Sequence, residues 1–285
     1  MAAVRTRRAT RLRICRSVPS GNSEARRDRN FCGGVDMDLV VSSTLALDTT
    51  HDVECYAAAS GRAPILYVLA LVTQKGGSGK STLAVGLAVA AMENGERVAF
   101  VEADPQGTIS KWKERRENPY PRVDRVADPA ELEPALSRLE AEGIWLAIVD
   151  TAATNNALAL RAIAKADLCL IPARPSPADI EAAIPTLIAI RRLNRRFALV
   201  LNQTPPRGCR LSEAATSLNS LGVLALPYVG QRNDHQDALG AGLGVTEFAQ
   251  EGRASQEIRE LWRWVLRKLV EGSFDHEQDS NKAAC

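Results

Sequence analysis

Residues 75–82 read Lys75-Gly76-Gly77-Ser78-Gly79-Lys80-Ser81-Thr82 and lie between an apolar run and an alanine-rich stretch. Glycines allow a tight turn that points consecutive backbone N–H groups at phosphate oxygens, and the amino terminus of a following helix adds positive potential. In such a loop Lys80 neutralises the terminal phosphates and Ser81 ligates Mg²⁺. The stretch therefore predicts a strand, a phosphate loop and a helix, and it indicates nucleotide chemistry.

The beginning of this loop departs from the general pattern of Gly, four residues and Gly-Lys-Ser/Thr, because Gln74 occupies the first glycine position. Lys75 adds a second lysine, and two like charges in one small loop repel each other unless an anion lies between them. A turn without a ligand would leave this lysine pair unexplained. The predicted nucleotide-binding residues of the loop are Gly76, Gly77, Ser78, Gly79, Lys80, Ser81 and Thr82.

The composition is that of a globular protein, with 285 residues of which 45% are hydrophobic and 25% charged. The longest apolar run, residues 65–72, is far shorter than the ~20 residues that a membrane-spanning helix needs. The six cysteines show no paired metal spacing and follow no apolar secretory core. We therefore expect reduced thiols and a cytoplasmic protein.

The first 62 residues differ from the rest, because residues 1–30 hold nine arginines against two acids and residues 31–62 are acidic. They have no helical or strand periodicity, so we expect a disordered extension. Its role stays open between a nucleic-acid-binding arm, an organellar transit peptide and a translation start assigned too far upstream. A nucleotide-binding domain at 63–271 and a flexible polar tail at 272–285 complete the expected organisation.

From residue 64 onward, apolar strand-like runs alternate with longer helical stretches. This alternation predicts an α/β fold with a doubly wound, mostly parallel sheet and helices on both faces, whose ligands collect at the carboxyl ends of the strands. The predicted strands are residues 65–73, 97–103, 145–150, 168–172, 197–202 and 223–227. The predicted helices are residues 80–94, 129–142, 155–165, 178–192, 211–221 and 254–270.

Two aspartates follow predicted strands. Asp104 begins the sequence Asp104-Pro105-Gln106-Gly107, where a carboxylate beside the phosphate loop can orient a water for attack on the γ-phosphate. The alternative is a helix N-cap with Pro105 at the first helical position. Asp150 ends an apolar run and is placed to hold Mg²⁺, usually through water, although an aspartate at a strand end can also cap a loop.

Four segments together resemble the ParA/MinD family of deviant Walker ATPases over about residues 65–269. They are the loop at 75–82, Asp104-Pro-Gln-Gly, Ile148-Val-Asp150-Thr, and the segment from Gln231-Arg232 to Gly242-Leu-Gly244-Val-Thr-Glu247. Asp104-Pro-Gln followed by Trp112, and residues 171–177, are similar to short ParA-type partition ATPases. The resemblance implies a P-loop NTPase fold, ATP and Mg²⁺ as cofactors, and hydrolysis of ATP to ADP and phosphate. One departure is Ala152-Ala153, where relatives often carry prolines.

The resemblance also implies roles for single residues. Lys75 would reach across a homodimer interface to the nucleotide of the partner, Lys80 would bind the β- and γ-phosphates, and Asp104 would orient the attacking water. The remaining implied roles are Ser81 and Asp150 as magnesium ligands, Asn202 as the reader of the adenine edge, and residues 172–177 as the border of nucleotide and interface. Because Lys75 gains an anionic partner only when two subunits face each other, ATP binding and dimerisation are expected to be coupled.

Partition ATPases of this type bind DNA without sequence preference as dimers, which requires basic side chains that face phosphates. The candidates are Arg191, Arg192, Arg195, Arg196, Arg207 and Arg210, with Arg232 in a later loop. A solvated helix end whose arginines favour the helix dipole is the alternative. The resemblance further implies nucleoid association, a ParB-like centromere-binding or adaptor protein as partner, and a plasmid or chromosome as cargo.

Other functions stay open. Relatives position protein cargo such as chemoreceptor clusters, and MinD-like division-site regulators cycle on membranes. The final predicted helix carries Arg259, Arg263, Arg267 and Lys268, which suits an interfacial helix, but an acidic polar tail follows it and Trp262 lies on its apolar face. Membrane binding is therefore disfavoured. An iron–sulfur ATPase is disfavoured because this sequence has none of the required cysteines shortly after Asp150, and a tyrosine kinase of this superfamily is disfavoured because no tyrosine follows Val270.

Overall fold

The structure is a computed structural model that describes residues 66–154, 156–206 and 210–283, with side chains described there except at 210 and 272–283. The predicted extension at 1–62 and Arg207 lie outside the described residues. The strands are β1 (Tyr67–Leu71), β2 (Val98–Ala103), β3 (Arg122–Arg125), β4 (Leu146–Thr151), β5 (Leu168–Ala173) and β6 (Phe197–Leu201). The helices are α1 (Lys80–Glu93), α2 (Thr108–Arg115), α3 (Pro129–Ala141), α4 (Ala157–Lys165), α5 (Pro177–Arg192), α6 (Arg210–Leu221), α7 (Asp234–Gly240), α8 (Val245–Phe248) and α9 (Arg253–Ala283).

The strands form one parallel sheet in the order β3-β2-β4-β1-β5-β6. Because every strand runs in the same direction, the carboxyl ends of all of them lie at one edge. β1 is central, and the chain builds the sheet first on one side of it and then on the other. The predicted α/β class with a doubly wound parallel sheet is confirmed.

Two hydrophobic cores cover the two faces of the sheet. Leu69 and Leu71 of β1 pack in the core that includes α1 and α9, whereas Val68 and Ala70 pack in the core that includes α3 to α6. This division follows from the alternation of side chains along a strand. Helix α1 is apolar nearly all round, as expected for a helix buried between the sheet and α9. The two helices pack closely, since a Cβ added at Gly86 would lie 3.4 Å from Ile258 of α9.

The predicted strand at 223–227 is wrong. Leu224 forms only an isolated parallel bridge with Leu199, and Val223 and Leu226 are 54% and 55% exposed. Pro227 lacks the N–H that a further ladder position would need. This segment therefore contacts the edge strand β6 through two backbone hydrogen bonds at Leu199 but does not form a regular strand.

The structure contains elements that apolar periodicity did not predict. Strand β3 reads Arg-Val-Asp-Arg at the edge of the sheet, where charged residues are tolerated. Helices α2, α7 and α8 are short, and α2 is mostly polar. Helix α9 continues to Ala283, beyond the predicted end at residue 270. The flexibility of the tail stays a prediction.

Cys169 is the cysteine whose side chain the structure describes, and it is free and buried in β5. Burial raises the pKa of its thiol to about 12, so this thiol is unreactive at neutral pH. The other five cysteines lie outside the described side chains. Within the described part of the chain, every helix is too short or too polar to cross a bilayer.

Candidate functional site

The phosphate loop connects the carboxyl end of central strand β1 to the buried helix α1. Gly77 and Gly79 have φ angles of 74° and 89°, in the left-handed region that favours glycine. Gly79 is the N-cap of α1, and no side chain caps the first N–H groups of this helix. These donors and the positive end of the helix dipole are free to bind an anion, as the sequence predicts.

Lys80 lies at the inner end of the loop. It is 7% exposed, and its Nζ donates to the carbonyl oxygen of Thr73 at 3.4 Å. Burial lowers the pKa of Lys80, whereas the negative charges of Asp150 and Asp104 oppose that shift. The structure thus brings the predicted phosphate-binding lysine and both predicted carboxylates into one electrostatic cluster.

Ser81 and Asp150 form the candidate magnesium site. Ser81 Oγ donates to Asp150 Oδ2 at 2.6 Å, and Oδ1 of this fully buried carboxylate has no hydrogen-bond partner. Burial raises the pKa of Asp150 to about 7, and the hydrogen bond from Ser81 and the charge of Lys80 only partly oppose this effect. A buried oxygen without a partner is costly, and Mg²⁺ prefers few protein oxygens together with water and phosphate ligands. The residues present therefore fit a magnesium ion.

Asp104 does not act as a helix N-cap. Its Oδ1 accepts the N–H of Gln106 at 2.9 Å in a turn, and α2 begins at Thr108 with Gly107 as its N-cap. The carboxylate is partly exposed near Lys80 and Asp150, on which its charge acts. The role that the resemblance implies for Asp104, the orientation of a water, stays a prediction.

Glu102 is a residue of the site that sequence reasoning missed. It is 1% exposed, and its carboxylate accepts the N–H groups of Ile109 and Ser110 at 2.7 and 3.1 Å. Arg125 of β3 lies 3.6 Å away. Glu102 thereby holds the amino terminus of α2, and hence the turn that carries Asp104. The available signal was one carboxylate in an otherwise apolar strand.

Lys75 lies at the outer end of the loop. Its backbone N–H donates to Thr73 Oγ1 at 3.3 Å, its side chain is half-buried, and the ion pairs formed among the described residues do not include it. Burial alone would raise the pKa of nearby Asp179, but hydrogen bonds from Arg174 and Ser176 and the charges of Arg174 and Lys75 hold it below its ordinary value. Residues 172–177, which were predicted to border the nucleotide and the interface, are thus followed two residues later by Asp179, whose negative charge attracts Lys75.

Asn202 follows β6 and lies against the phosphate loop. Its Nδ2 donates to the carbonyl oxygen of Ser78 at 2.8 Å, and the next residue, Gln203, donates from Nε2 to that of Gly77 at 3.0 Å. The implied adenine-reading role of Asn202 stays a prediction. Sequence reasoning missed Gln203, which has no motif to mark it.

The predicted DNA-binding arginines lie elsewhere. Arg195 and Arg196 precede β6, so they lie at the amino edge of the sheet, opposite the phosphate loop. Arg192 and Arg195 are exposed, and Arg196 is half-buried. Arg191 donates to the carbonyl oxygen of Leu221 at 2.6 Å and stacks on Phe197, so it is held against the domain. The side chain of Arg210 is not among those described.

The parallel sheet, the phosphate loop after its central strand and the Ser81–Asp150 pair define the class of phosphate-loop α/β nucleotide-binding proteins. A family model described as "VirC1 protein" matches residues 66–238. The chain belongs to this VirC1 family, which is homologous to the ParA/MinD-type ATPases, and the resemblance noted in the sequence is confirmed.

Two curated proteins and one solved structure illustrate this relationship. Maintenance of carboxysome distribution protein A of Halothiobacillus neapolitanus is 30% identical over 70% of this chain and 96% of its own length. Protein virC1 of Rhizobium rhizogenes is 32% identical over 61% of this chain and 79% of its own. The septum site-determining protein MinD of Pyrococcus horikoshii OT3, complexed with Mg-ADP, has a TM-score of 0.59 at 16% identity, over 70% of this chain and 96% of that one. At that identity the likeness shows the fold alone.

Proposed function

We propose that this protein is an ATPase that dimerises with ATP, binds DNA without sequence preference as a dimer, and uses ATP turnover to partition or position cargo. The observation that carries the proposal is the cluster of Lys80, Ser81, Asp104 and Asp150 around the amino terminus of α1. One buried cation, one buried carboxylate oxygen without a partner and a set of free helix N–H groups match a magnesium-bound triphosphate.

Hydrolysis is supported by the separation of roles within the cluster. Lys80 would neutralise the β- and γ-phosphates, and Ser81 and Asp150 would hold Mg²⁺, which supplies positive charge to the phosphate oxygens when bound. Asp104 lies in a partly exposed turn beside the cluster. Its carboxylate would accept a hydrogen bond from the attacking water, and the oxygen of that water would then face the γ-phosphorus. Glu102 would keep that turn in place through α2.

Dimerisation is supported by the position of Lys75. Its positive charge acts on Asp179 and helps to lower the pKa of that carboxyl, and the two side chains form no ion pair. A triphosphate on a facing subunit offers more negative charge than this carboxylate does, so ATP would draw Lys75 across an interface. ATP binding and dimerisation are then thermodynamically linked, because each makes the other more favourable.

DNA binding is supported by Arg192, Arg195 and Arg196 at the amino edge of the sheet. Because this edge is remote from the phosphate loop, a dimer joined at the loops would leave both arginine clusters accessible. Such contacts to backbone phosphates carry no sequence information and weaken steeply with salt. A nucleoid-associated cytoplasmic location would follow from them.

The cargo would be recognised through a ParB-like centromere-binding protein or another adaptor. Positioning of a protein assembly is the second candidate, and the printed name of the Halothiobacillus relative, which concerns carboxysome distribution, favours it. A membrane anchor in α9 is disfavoured, because Leu261 and Trp262 are buried in the core. The apolar face that an interfacial helix would insert is therefore occupied.

The test is sedimentation of the full chain with ADP or a non-hydrolysable ATP analogue, with and without random-sequence duplex DNA, at several salt concentrations. We expect a monomer with ADP, a dimer with the analogue and Mg²⁺, and DNA binding by the dimer that falls steeply with salt. A monomer under every condition would contradict the proposal. Binding to liposomes instead of DNA would favour the membrane-cycling alternative.

A further inference from the structure

Two consecutive amide side chains at the end of β6 hold two consecutive carbonyl groups of the phosphate loop. Gln203 Nε2 donates to the carbonyl oxygen of Gly77 at 3.0 Å, and Asn202 Nδ2 donates to that of Ser78 at 2.8 Å. Asn202 is itself fixed, since it is 5% exposed and its Oδ1 accepts the N–H of Gln203 at 2.9 Å. We call this pair the amide clamp.

The amide clamp determines where the loop N–H groups point. In a planar trans peptide, the C=O of one residue and the N–H of the next point in opposite directions. Gln203 holds the carbonyl of Gly77 towards β6, so the N–H of Ser78 points away from β6. Asn202 holds the carbonyl of Ser78 in the same way, so the N–H of Gly79 also points away from β6. Both N–H groups then face the hollow in front of α1, where phosphate oxygens would bind.

The loop is built closely around the clamp. A Cβ added at Gly79 would lie 2.4 Å from Asn202 Nδ2 and 3.1 Å from Gln203 Nε2, so glycine is needed there for space as well as for its φ of 89°. Gln203 adopts a φ of 53°, in the left-handed region that favours glycine. Such a backbone at a glutamine persists where the surroundings hold it in place.

The supporting segment is anchored on both sides. The N–H of Asn202 donates to the carbonyl oxygen of Ala173 in β5 at 2.9 Å, and the N–H of Thr204 donates to that of Val229 at 2.9 Å. The clamp therefore connects the phosphate loop to the rigid sheet rather than to a mobile loop. A group held in this way can preorganise a binding site at little cost when the ligand arrives.

We propose that Asn202 and Gln203 are positioning residues for the triphosphate, which set the phosphate loop in its binding conformation and do not select the base. This assignment rests on the proposed function, in which the loop binds Mg-ATP. It differs from the adenine-reading role that the resemblance implies for Asn202, because Nδ2 of that side chain donates to the loop carbonyl of Ser78 and Oδ1 accepts the N–H of Gln203.

The test compares Gln203→Glu with the unaltered full chain. Glutamate has the same shape but cannot donate, and its charge repels the carbonyl of Gly77. Affinities for Mg-ATP, Mg-GTP and Mg-tripolyphosphate are measured by displacement of a fluorescent ATP analogue. We expect all three to weaken by the same factor, about tenfold or more, with the ATP-to-GTP ratio unchanged. Gln236→Glu, the same change at an exposed position of α7, is the matched control and should leave all three unchanged.

Two further variants keep the test independent of folding. Gln203→Met removes the donor without adding charge, and Asn202→Asp removes the second donor; thermal unfolding without ligand identifies any variant that is globally destabilised. A base-reading role predicts the opposite pattern, in which Mg-ATP weakens, Mg-tripolyphosphate does not and the ATP-to-GTP ratio falls. That pattern, or unchanged affinity in folded variants, would overturn the amide clamp alone. Absence of Mg-ATP binding by the unaltered protein would overturn the proposed function and the clamp with it.

Discussion

Ser81 Oγ donates to Asp150 Oδ2 at 2.6 Å, while the second oxygen of this fully buried carboxylate has no hydrogen-bond partner. The serine belongs to the first turn of α1 and the aspartate to the end of neighbouring strand β4, so the contact joins two segments that are 69 residues apart in sequence. A divalent ion at this point would be held by the serine hydroxyl oxygen and by the carboxylate, and it would supply the missing partner of the free carboxylate oxygen.

Asp150→Asn should remove the contribution of Mg²⁺ to nucleotide binding, because an amide is a weaker ligand than a carboxylate. We expect the affinity for Mg-ATP to fall about tenfold or more, towards the value that the unaltered protein shows in EDTA. Calorimetry with and without Mg²⁺ measures both. Full retention of the magnesium effect in this variant would remove Asp150 from the site.

The unaltered protein without nucleotide should also lose stability as the pH rises from about 4 to 7. The pKa of Asp150 is about 7 when folded and 3.8 ordinarily, so between these values the folded state binds the extra proton. The free energy of unfolding must then decrease with rising pH, by roughly 4 kcal/mol at most, and level off above pH 7. Urea denaturation of the unaltered protein and of Asp150→Asn at each pH isolates the contribution of Asp150, since the decrease in the free energy of unfolding with rising pH should be missing from the variant. Equal slopes would contradict it.

Lys75→Ala should abolish dimerisation with ATP and leave a monomer that still binds the nucleotide through Lys80. The reason is that the removed cation acts on the triphosphate of the other subunit. Sedimentation with a non-hydrolysable analogue detects the change, and Lys113→Ala serves as control because its Nζ donates to the carbonyl of Asn118. A Lys75→Ala variant that dimerises normally would refute the assignment.

Asp104→Ala should bind ATP and dimerise, yet hydrolyse it about a hundredfold more slowly, because the attacking water loses its acceptor. The structure makes this separation feasible, since the carboxylate caps only its own turn and α2 is held by Glu102. Phosphate release under single-turnover conditions measures the step. Turnover at the rate of the unaltered protein would exclude this role for Asp104.

Arg192→Ala with Arg195→Ala should weaken binding to random DNA and reduce the slope of log K against log salt by about 2, because two phosphate contacts are lost. The pair excludes Arg191, whose side chain is held by Leu221 and Phe197. Arg138→Ala with Arg161→Ala removes the same charge outside the cluster and is the matched control. An identical slope in both double variants would place the DNA contacts elsewhere.

Glu247→Ala should destabilise the fold by about 2–3 kcal/mol. Arg116 is 1% exposed in its side chain and forms two 2.7 Å hydrogen bonds with Glu247, and it also stacks on Trp112. Removal of the carboxylate leaves a buried guanidinium without its counter-charge. The control is Glu271→Ala, which breaks an exposed pair with Lys268 and should change urea stability by less than about 0.5 kcal/mol.

Local signals in the chain were sufficient for most of the fold. The buried strands and the long helices were predicted within a few residues, apart from the end of α9, because their apolar runs and periodicity reflect burial in a two-sided sheet. β3 and α2 were missed, since a charged edge strand and a polar helix carry no such pattern. The segment 223–227, wrongly predicted as a strand, has the apolar composition of one. Whether such an edge segment forms a regular strand depends on how it lies against its neighbour β6, and not on its own residues alone.

The amino-acid sequence by itself determined the phosphate loop, the positions of Lys75, Lys80, Asp104 and Asp150, and the family to which they belong, because these features depend on spacing within short segments. Only the tertiary structure decided how distant segments meet. It placed Glu102 under the turn of Asp104, Asn202 and Gln203 on the loop carbonyls, and the arginines at the opposite edge of the sheet. Such contacts join residues up to 126 positions apart, and no local pattern specifies a hydrogen bond between groups that only folding brings together.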